Sequence, residues 1–422
     1  MIKAITPGAR FGEVKIPSSK SVVHRLMICG ALGQREVEIQ YDGLSRDIRA
    51  TAECLNALGA QIRADEKRLH ISPITDRGES KRALLPAGES GSTLRFLIPV
   101  AGALGRSADF KMEGRLSERP LAPFDRLLRE HGMSLTREEK ILHCDGQLEG
   151  GLFRLPGNVS SQYFSGLLMA LPVLRGESEL QTEGEMESAA YVHLTEEVLN
   201  RANVRFDRKS PVTWKIFGPQ TPELPKLVSA EGDWSNAAFF LCAAALSEKG
   251  IRVGGLNPAS VQGDRQILEI LRDFGAEVTE EEDSVTVRRG SQRPIDVNAM
   301  SIPDLVPVLA ILCCSAEGTS RITGAARLRL KESDRLKTTT ALIRSLGGEA
   351  EEHPDGIIIH GKGRLRGGSS DSYNDHRIAM SAAVAAVLCA EPVIVSGAEC
   401  VEKSYPAFWR DFEALCRMQD PG

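Results

Sequence analysis

Three carboxylates in this chain sit in surroundings that suit proton transfer on an anionic ligand. Glu332 follows Lys331, Asp375 precedes His376 and Arg377, and Asp304 stands in the polar corner Ser301-Ile302-Pro303-Asp304. Cations beside a carboxylate keep it ionised and able to accept a proton. Other corners carry cations among small polar residues: Lys20 with Ser21 and Arg25, Gly91 with Arg95, and Arg377. Taken singly, their Ser, Thr, Asn and Asp residues read as helix N-caps. Helix amino termini combined with nearby cations make anion sites. Two further basic clusters, Arg115 to Arg119 and Arg327 to Arg335, precede later helices. The alternation of Arg327, Arg329 and Lys331 predicts a strand with all three on one face. Residue types and spacing alone therefore reach an enzyme or binder of phosphorylated anions. No phosphate-binding G-x-x-x-x-G-K-[ST] loop and no G-x-G-x-x-G turn is present, which argues against nucleotide chemistry.

The elements that position these corners repeat. Lys20, Gly91, Ser161, Ser235, Asp304 and His376 mark successive corners at spacings of 71, 70, 74, 69 and 72 residues. Each corner follows a short strand such as Glu13-Val14-Lys15-Ile16 or Phe153-Arg154-Leu155-Pro156 and opens an apolar helix. A second, amphipathic helix follows in each unit. The stretch from Asp264 to Gly275 shows it best, with Ile267, Ile270, Leu271 and Phe274 at helical spacing and Gly275 as the stop. The unit reads βαβαββ, and six copies predict an α/β protein of two similar domains. Three repeats in each would surround buried apolar helices. The expected domains are residues 19–228 and residues 1–18 with 229–422. The Pro-rich stretch Thr221 to Pro225 is the linker candidate, with the fourth unit opening near Lys226.

The chain has 422 residues and a net charge of −5, which argues against general nucleic-acid or membrane binding. Nine cysteines without a C-x-x-C pair read as buried thiols in a reducing compartment, with no metal site expected. Residues 1–7 lack signal or transit character, and no apolar run is long enough to span a bilayer. The expectation is a cytoplasmic monomer.

At this point the motifs form a pattern. Pro17 to Arg25, Gly88 to Arg95, Glu118-Arg119-Pro120, Ser160-Ser161-Gln162, Val261 to Asp264, Lys331 to Arg335 and Asn374 to Arg377 closely resemble the 5-enolpyruvylshikimate-3-phosphate synthase family, in order and over the whole chain. The resemblance implies transfer of an enolpyruvyl group from phosphoenolpyruvate to the 5-hydroxyl of shikimate 3-phosphate without a cofactor. It also implies an active site in the cleft between the domains, with the amino-terminal strand crossing into the carboxy-terminal one. Under it, Lys20, Ser21 and Arg25 match the shikimate 3-phosphate site, with Lys20 also reaching the donor. Ser160, Ser161, Gln162 and Ser188, near Tyr191, match residues that hold the acceptor ring and its phosphate. Gly91, Arg119, Arg335, Arg377 and Lys403 match residues that grip phosphoenolpyruvate. Asp304 matches the carboxylate that accepts the hydroxyl proton, and Lys331 and Glu332 match the pair beside the forming bond.

Such a site gathers cations from both halves, whose mutual repulsion favours an open empty state that closes on ligand. The family's sister enzymes act on UDP-N-acetylglucosamine and carry a reactive Cys in the loop matched by Gly114 to Arg119, where this chain has none. Glu89, Ser92, Phe96 and Arg327 depart from residues common in the family. The inhibitor glyphosate occupies the donor position beside the glycine matched by Gly91, so the resemblance implies inhibition competitive with phosphoenolpyruvate.

Overall fold

The computed structural model describes residues 1–75 and 82–417. The chain forms two compact units, Ser19–Ala230 and Met1–Ser18 with Glu231–Gly422, each with its own hydrophobic core. In the Ser19–Ala230 unit the sheet formed by Ala83–Gly88, Ala108–Met112, Ile141–Gly146 and Met133–Glu138 shows the repeat plainly. Its first two strands are parallel, joined across the helix Gly91–Ala103, and the last two form an antiparallel hairpin. A parallel pair needs such a crossover, whereas an antiparallel pair closes with a short turn. The order first, second, fourth, third recurs in the sheet of Leu152–Pro156, Gly176–Glu183, Thr213–Gly218 and Phe206–Ser210. It recurs again in the other unit, in the sheet of Asp296–Asn298, Gly318–Thr323, Gly356–Gly361 and Glu349–His353.

The two helix types separate by composition. Val306–Cys313 has no polar side chain except a thiol and is buried throughout, and Trp234–Ala245 and His376–Ala385 pack against it. Lys20–Leu32, Gly91–Ala103 and Ser161–Ala170 are the buried helices of the other unit. The amphipathic Ile267–Phe274 buries Ile267, Ile270, Leu271 and Phe274 on one side. It ends at Gly275 with φ of +95°, a left-handed residue that a side chain would strain. Asp264 lies ahead of this helix in a short 3-10 turn, Gly263–Gln266.

Repeats in space are offset from repeats in sequence. Gly12–Lys15 pairs in parallel with Ile251–Gly254, supplying the first strand of the fourth unit, and Val14 and Ile16 join that unit's core. Leu227–Ser229 does the reverse, pairing in parallel with Val37–Gln40 to complete the first sheet. The fourth unit therefore does not open near Lys226. Nor is the Pro-rich stretch a spacer, because Leu224 is buried in the Ser19–Ala230 core and the Glu223 N–H bonds the Ala202 carbonyl at 2.7 Å. The sixth sheet has three strands, Ile2–Ile5, Val393–Ser396 and Gly368–Asp371. Ile2–Ile5 runs antiparallel to Val393–Ser396, so the amino terminus takes a place that the sixth unit's own hairpin would have filled.

Candidate active site

In the unit of Met1–Ser18 and Glu231–Gly422, one buried guanidinium gathers the carboxylates. Arg335 opens the helix Arg335–Ser345 and is 2 % exposed. It donates from Nε to Asp375 Oδ2 at 2.8 Å, from Nη1 to Asp304 Oδ1 at 2.7 Å and from Nη2 to Glu332 Oε2 at 2.8 Å. Burial disfavours its charge, but Asp375, Glu332 and Asp304 more than offset this and hold the guanidinium pKa above its usual value. Asp375 is fully buried and caps the helix His376–Ala385, accepting the Arg377 N–H at 2.9 Å and the Ser333 hydroxyl at 2.9 Å. The Arg377 side chain reaches Asp304 Oδ2 at 3.4 Å and the Ser235 carbonyl at 3.0 Å. Lys403, at the end of the 3-10 turn Ala398–Lys403, donates to the Asn374 carbonyl at 2.6 Å. Asp304, Lys331, Glu332, Arg335, Arg377 and Lys403 thus rise from helix beginnings and from the short turns that precede helices.

Half-buried Lys331 lies 3.6 Å from Asp304 Oδ1. Burial lowers its ammonium to about 8, opposed by Asp304 and aided by Arg335. Lys331 is therefore charged below about pH 8 and neutral above it. If it grips the donor, the Michaelis constant for phosphoenolpyruvate should rise as pH passes 8. Lys331→Arg, charged at every accessible pH, should flatten that rise. A donor Michaelis constant with no change between pH 7 and 9 in the native protein would remove Lys331 from donor binding.

Asp264, to which no role was assigned above, belongs to the same neighbourhood. Its carboxylate accepts the Ser235 hydroxyl, and Ser235 follows Trp234 at the start of its helix. Burial first, and then the nearby Asp304 charge, push the Asp264 carboxyl up to about 7.

In the Ser19–Ala230 unit the corners supply cations and hydroxyls. Lys20 Nζ pairs with Asp47 Oδ2 at 2.8 Å. Arg25 is 2 % exposed and is braced by the Thr195 hydroxyl at 2.7 Å, the Ser165 hydroxyl at 3.2 Å and the carbonyls of Ser21 at 2.7 Å and Tyr191 at 2.9 Å. Its guanidinium lies 4.9 Å from the Phe96 ring. Burial lowers its pKa to about 10, with Tyr191 opposing. Gln162 joins two corners, donating to the Ser92 hydroxyl at 2.9 Å and accepting from Arg95 at 3.0 Å. Ser160 caps the helix Ser161–Ala170. Ser188 has a left-handed φ of +56° before the helix Ala189–Arg201, strain of the kind found at ligand sites.

Gly91 is where two guanidinium groups crowd the backbone. A methyl there would lie 2.7 Å from Arg95 Nη1 and 2.8 Å from Arg119 Nη1. Both neighbours are ends of flexible side chains, so the arginines would move rather than the helix. Gly91→Ala should therefore leave the unfolding midpoint nearly unchanged. If Gly91 faces the donor, the change should weaken donor binding, and glyphosate binding more strongly, by about tenfold to a hundredfold for a forced overpacking shift. Inhibition measured at several donor concentrations checks this, and equal factors for the two ligands would count against it.

An expectation about the basic cluster also fails. Arg327, Arg329 and Lys331 do not share a strand face: Ala326–Leu330 is a 3-10 helix and Lys331 caps it. Arg329 turns away to Asp334 at 3.0 Å and Glu352 at 2.6 Å, fixing the hairpin, while Lys331 turns to Asp304. A local charge pattern of period two could not distinguish these. The bland capping reading and the functional one also coexist, since Ser90, Ser160, Asp233 and Asp375 all accept a main-chain N–H of the helix they open. Residues missed by the sequence reading are partners: Asp47, Ser165, Thr195 and Asp264. Only Asp264 had a signal, since it lay inside a quoted motif. The cysteines other than Cys416 are buried and unbridged, and among the described residues no cluster could hold a metal ion and no helix is long and apolar enough to cross a membrane.

Repeated βαβαββ units in two bodies, with helix starts carrying cations and carboxylates, define the enolpyruvyl transferase class of fold. Solved structures agree. An EPSP synthase from Acinetobacter baumannii superposes with a TM-score of 0.81 at 26% identity, covering 98% of both chains. The enolpyruvyl transferase NikO from Streptomyces tendae shares the fold with a TM-score of 0.77 at 19% identity, covering 98% of this chain and 97% of that one. Residues 6–412 match the family EPSP synthase (3-phosphoshikimate 1-carboxyvinyltransferase), and the chain belongs to that family. A 3-phosphoshikimate 1-carboxyvinyltransferase of Clostridium kluyveri is 43% identical over 98% of this chain and 96% of its own length. One of Clostridium acetobutylicum is 40% identical over 97% and 96%.

Proposed function

We propose that this chain transfers the enolpyruvyl group of phosphoenolpyruvate to the 5-hydroxyl of shikimate 3-phosphate and releases phosphate, within aromatic amino-acid biosynthesis. The observation that carries the reading is the Arg335 cluster, in a chain that belongs to this family over nearly its whole length. It holds two partly exposed carboxylates, Asp304 and Glu332, beside Lys331 and Arg377. A pure anion binder needs the cations and is weakened by the acids.

The hydroxyl oxygen adds to C2 of the donor and a proton to C3, giving a tetrahedral adduct with a carboxylate and two phosphates. Loss of phosphate and of a C3 proton then leaves the enol ether. Asp304 accepts the hydroxyl proton, and Lys331 and Glu332 stand by the bond that forms. Arg119, Arg335, Arg377 and Lys403, with Gly91, take the donor. Cations oriented in advance oppose the charge that accumulates on the adduct, and guanidinium forks also fix its orientation. Lys20, Ser21, Arg25, Ser160, Ser161, Gln162 and Ser188 take the acceptor. Four of the five Arg25 N–H groups are already committed internally, so its part is to hold the Ser21 and Tyr191 backbone and to add charge.

Phosphate release from phosphoenolpyruvate, measured with shikimate 3-phosphate beside UDP-N-acetylglucosamine, tests the reading. Release should require shikimate 3-phosphate. Release with the nucleotide sugar alone would assign the chain to the sister reaction.

A further inference from the structure

We propose that a buried hydrogen-bond chain, His24 to Thr51 to Thr93 to Ser90, positions the Gly91 corner for the donor, with Thr51 as its central positioning residue. The proposal rests on the reading above that Gly91 and Arg119 face phosphoenolpyruvate. The four side chains come from three segments of the Ser19–Ala230 unit and are all at most 1 % exposed. His24 Nδ1 lies 2.7 Å from Thr51 Oγ1, Thr51 Oγ1 lies 2.6 Å from Thr93 Oγ1, and Thr93 Oγ1 lies 2.7 Å from Ser90 Oγ. Ser90 in turn caps the helix Gly91–Ala103, accepting the Thr93 N–H at 3.3 Å.

Proton counting fixes the direction of the chain. Each hydroxyl has a single proton to donate. Thr93 spends its own on Ser90, so it accepts from Thr51. Thr51 has then spent its proton as well and accepts from His24. The imidazole must therefore carry a proton on Nδ1, which leaves Nε2 with no part in the chain. Nε2 indeed has no hydrogen-bond partner. Burial, with Lys20 and Arg25 nearby, keeps the imidazole well below its ordinary pKa and so neutral.

The chain ties three site elements together. His24 is one turn beyond Lys20 on the helix Lys20–Leu32, and Thr51 is one turn beyond Asp47, the Lys20 partner, on Arg46–Ala57. Ser90 immediately precedes Gly91. A shift of the Lys20–Asp47 pair relative to the Gly91 corner would break at least one buried hydrogen bond, and a broken bond leaves a desolvated hydroxyl unpaired. Ser90 capping alone would not need Thr51 or His24, since its bond to the Thr93 N–H is local.

The test compares Thr51→Val, which keeps the shape and breaks the chain, with Thr51→Ser, which keeps the hydroxyl. Thr51→Val should raise the Michaelis constant for phosphoenolpyruvate about tenfold, with kcat within about threefold of native, and Thr51→Ser should restore the donor constant. In the native protein, nitrogen NMR of labelled histidine should show His24 as the Nδ1–H tautomer. A Thr51→Val protein with lower thermal stability and an unchanged donor constant would reduce the chain to a structural role and overturn the proposal. So would an Nε2–H tautomer in the native protein, a measurement that holds even if Thr51→Val does not fold. Native protein that released no phosphate would sink the proposed function instead, and the tautomer would then decide the chain by itself.

Discussion

Asp304→Asn should lower turnover by about a hundred- to ten-thousandfold, the usual contribution of a general base, while leaving shikimate 3-phosphate binding close to native. The amide keeps the size of the side chain and one oxygen to accept from Arg335, now 2.7 Å away, but it cannot take a proton at neutral pH. A carboxylate has about four acceptor sites. The two guanidinium groups take one on each oxygen and hold the group in a single orientation. The substitution also removes a negative charge from beside three cations, so donor binding should not weaken through lost attraction. Turnover and acceptor affinity measured separately decide the point. Turnover within tenfold of native would take the base role from Asp304 and leave Glu332 as the remaining candidate.

Arg335→Met should cost about 3–5 kcal/mol of stability in its unit, because it leaves Asp375 as a buried carboxylate without its cation. Phosphate release should be lost as well, since Asp304 and Glu332 lose the group that aims them. Adding Asp375→Asn separates these effects. Asn can still cap the helix His376–Ala385 and accept from Ser333, so the double variant should recover most of the stability and none of the activity. Urea unfolding of the single and double variants, read with phosphate release, gives the coupling. A single variant as stable as native would mean that the ion pair is not what holds Asp375.

Much of this arrangement could be read from the chain because its grammar is local. A polar corner followed by an apolar run specifies a helix start, and helix starts are where Lys20, Gly91, Ser161 and Arg377 stand. What could not be read was long-range. Nothing near Leu227 says that its partner is Glu38, and nothing near Gly12 says that its partner is Ile251. Parallel pairing leaves no turn signal to mark it. Arg329 failed for a similar reason: its acidic partner Glu352 lies on a distant hairpin, and that ion pair, not β alternation, sets its direction. Thr51 and Thr93 looked like ordinary helix residues, because only the packing of two helices brings their hydroxyls together.

The exchanged strands also set a timetable for synthesis. Gly12–Lys15 leaves the ribosome well before its partner, which begins at Ile251. At about 5–20 residues per second, that wait is roughly ten to fifty seconds. Ser19–Ala230 can meanwhile close its first sheet as soon as Leu227–Ser229 emerges. A strand made early thus waits for a partner far along the chain, and it spends the interval as an unpaired edge. Edges of that kind are protected by charge. Glu13 and Lys15 on either side of Val14 give this one the character of a segment that can wait without sticking to its neighbours.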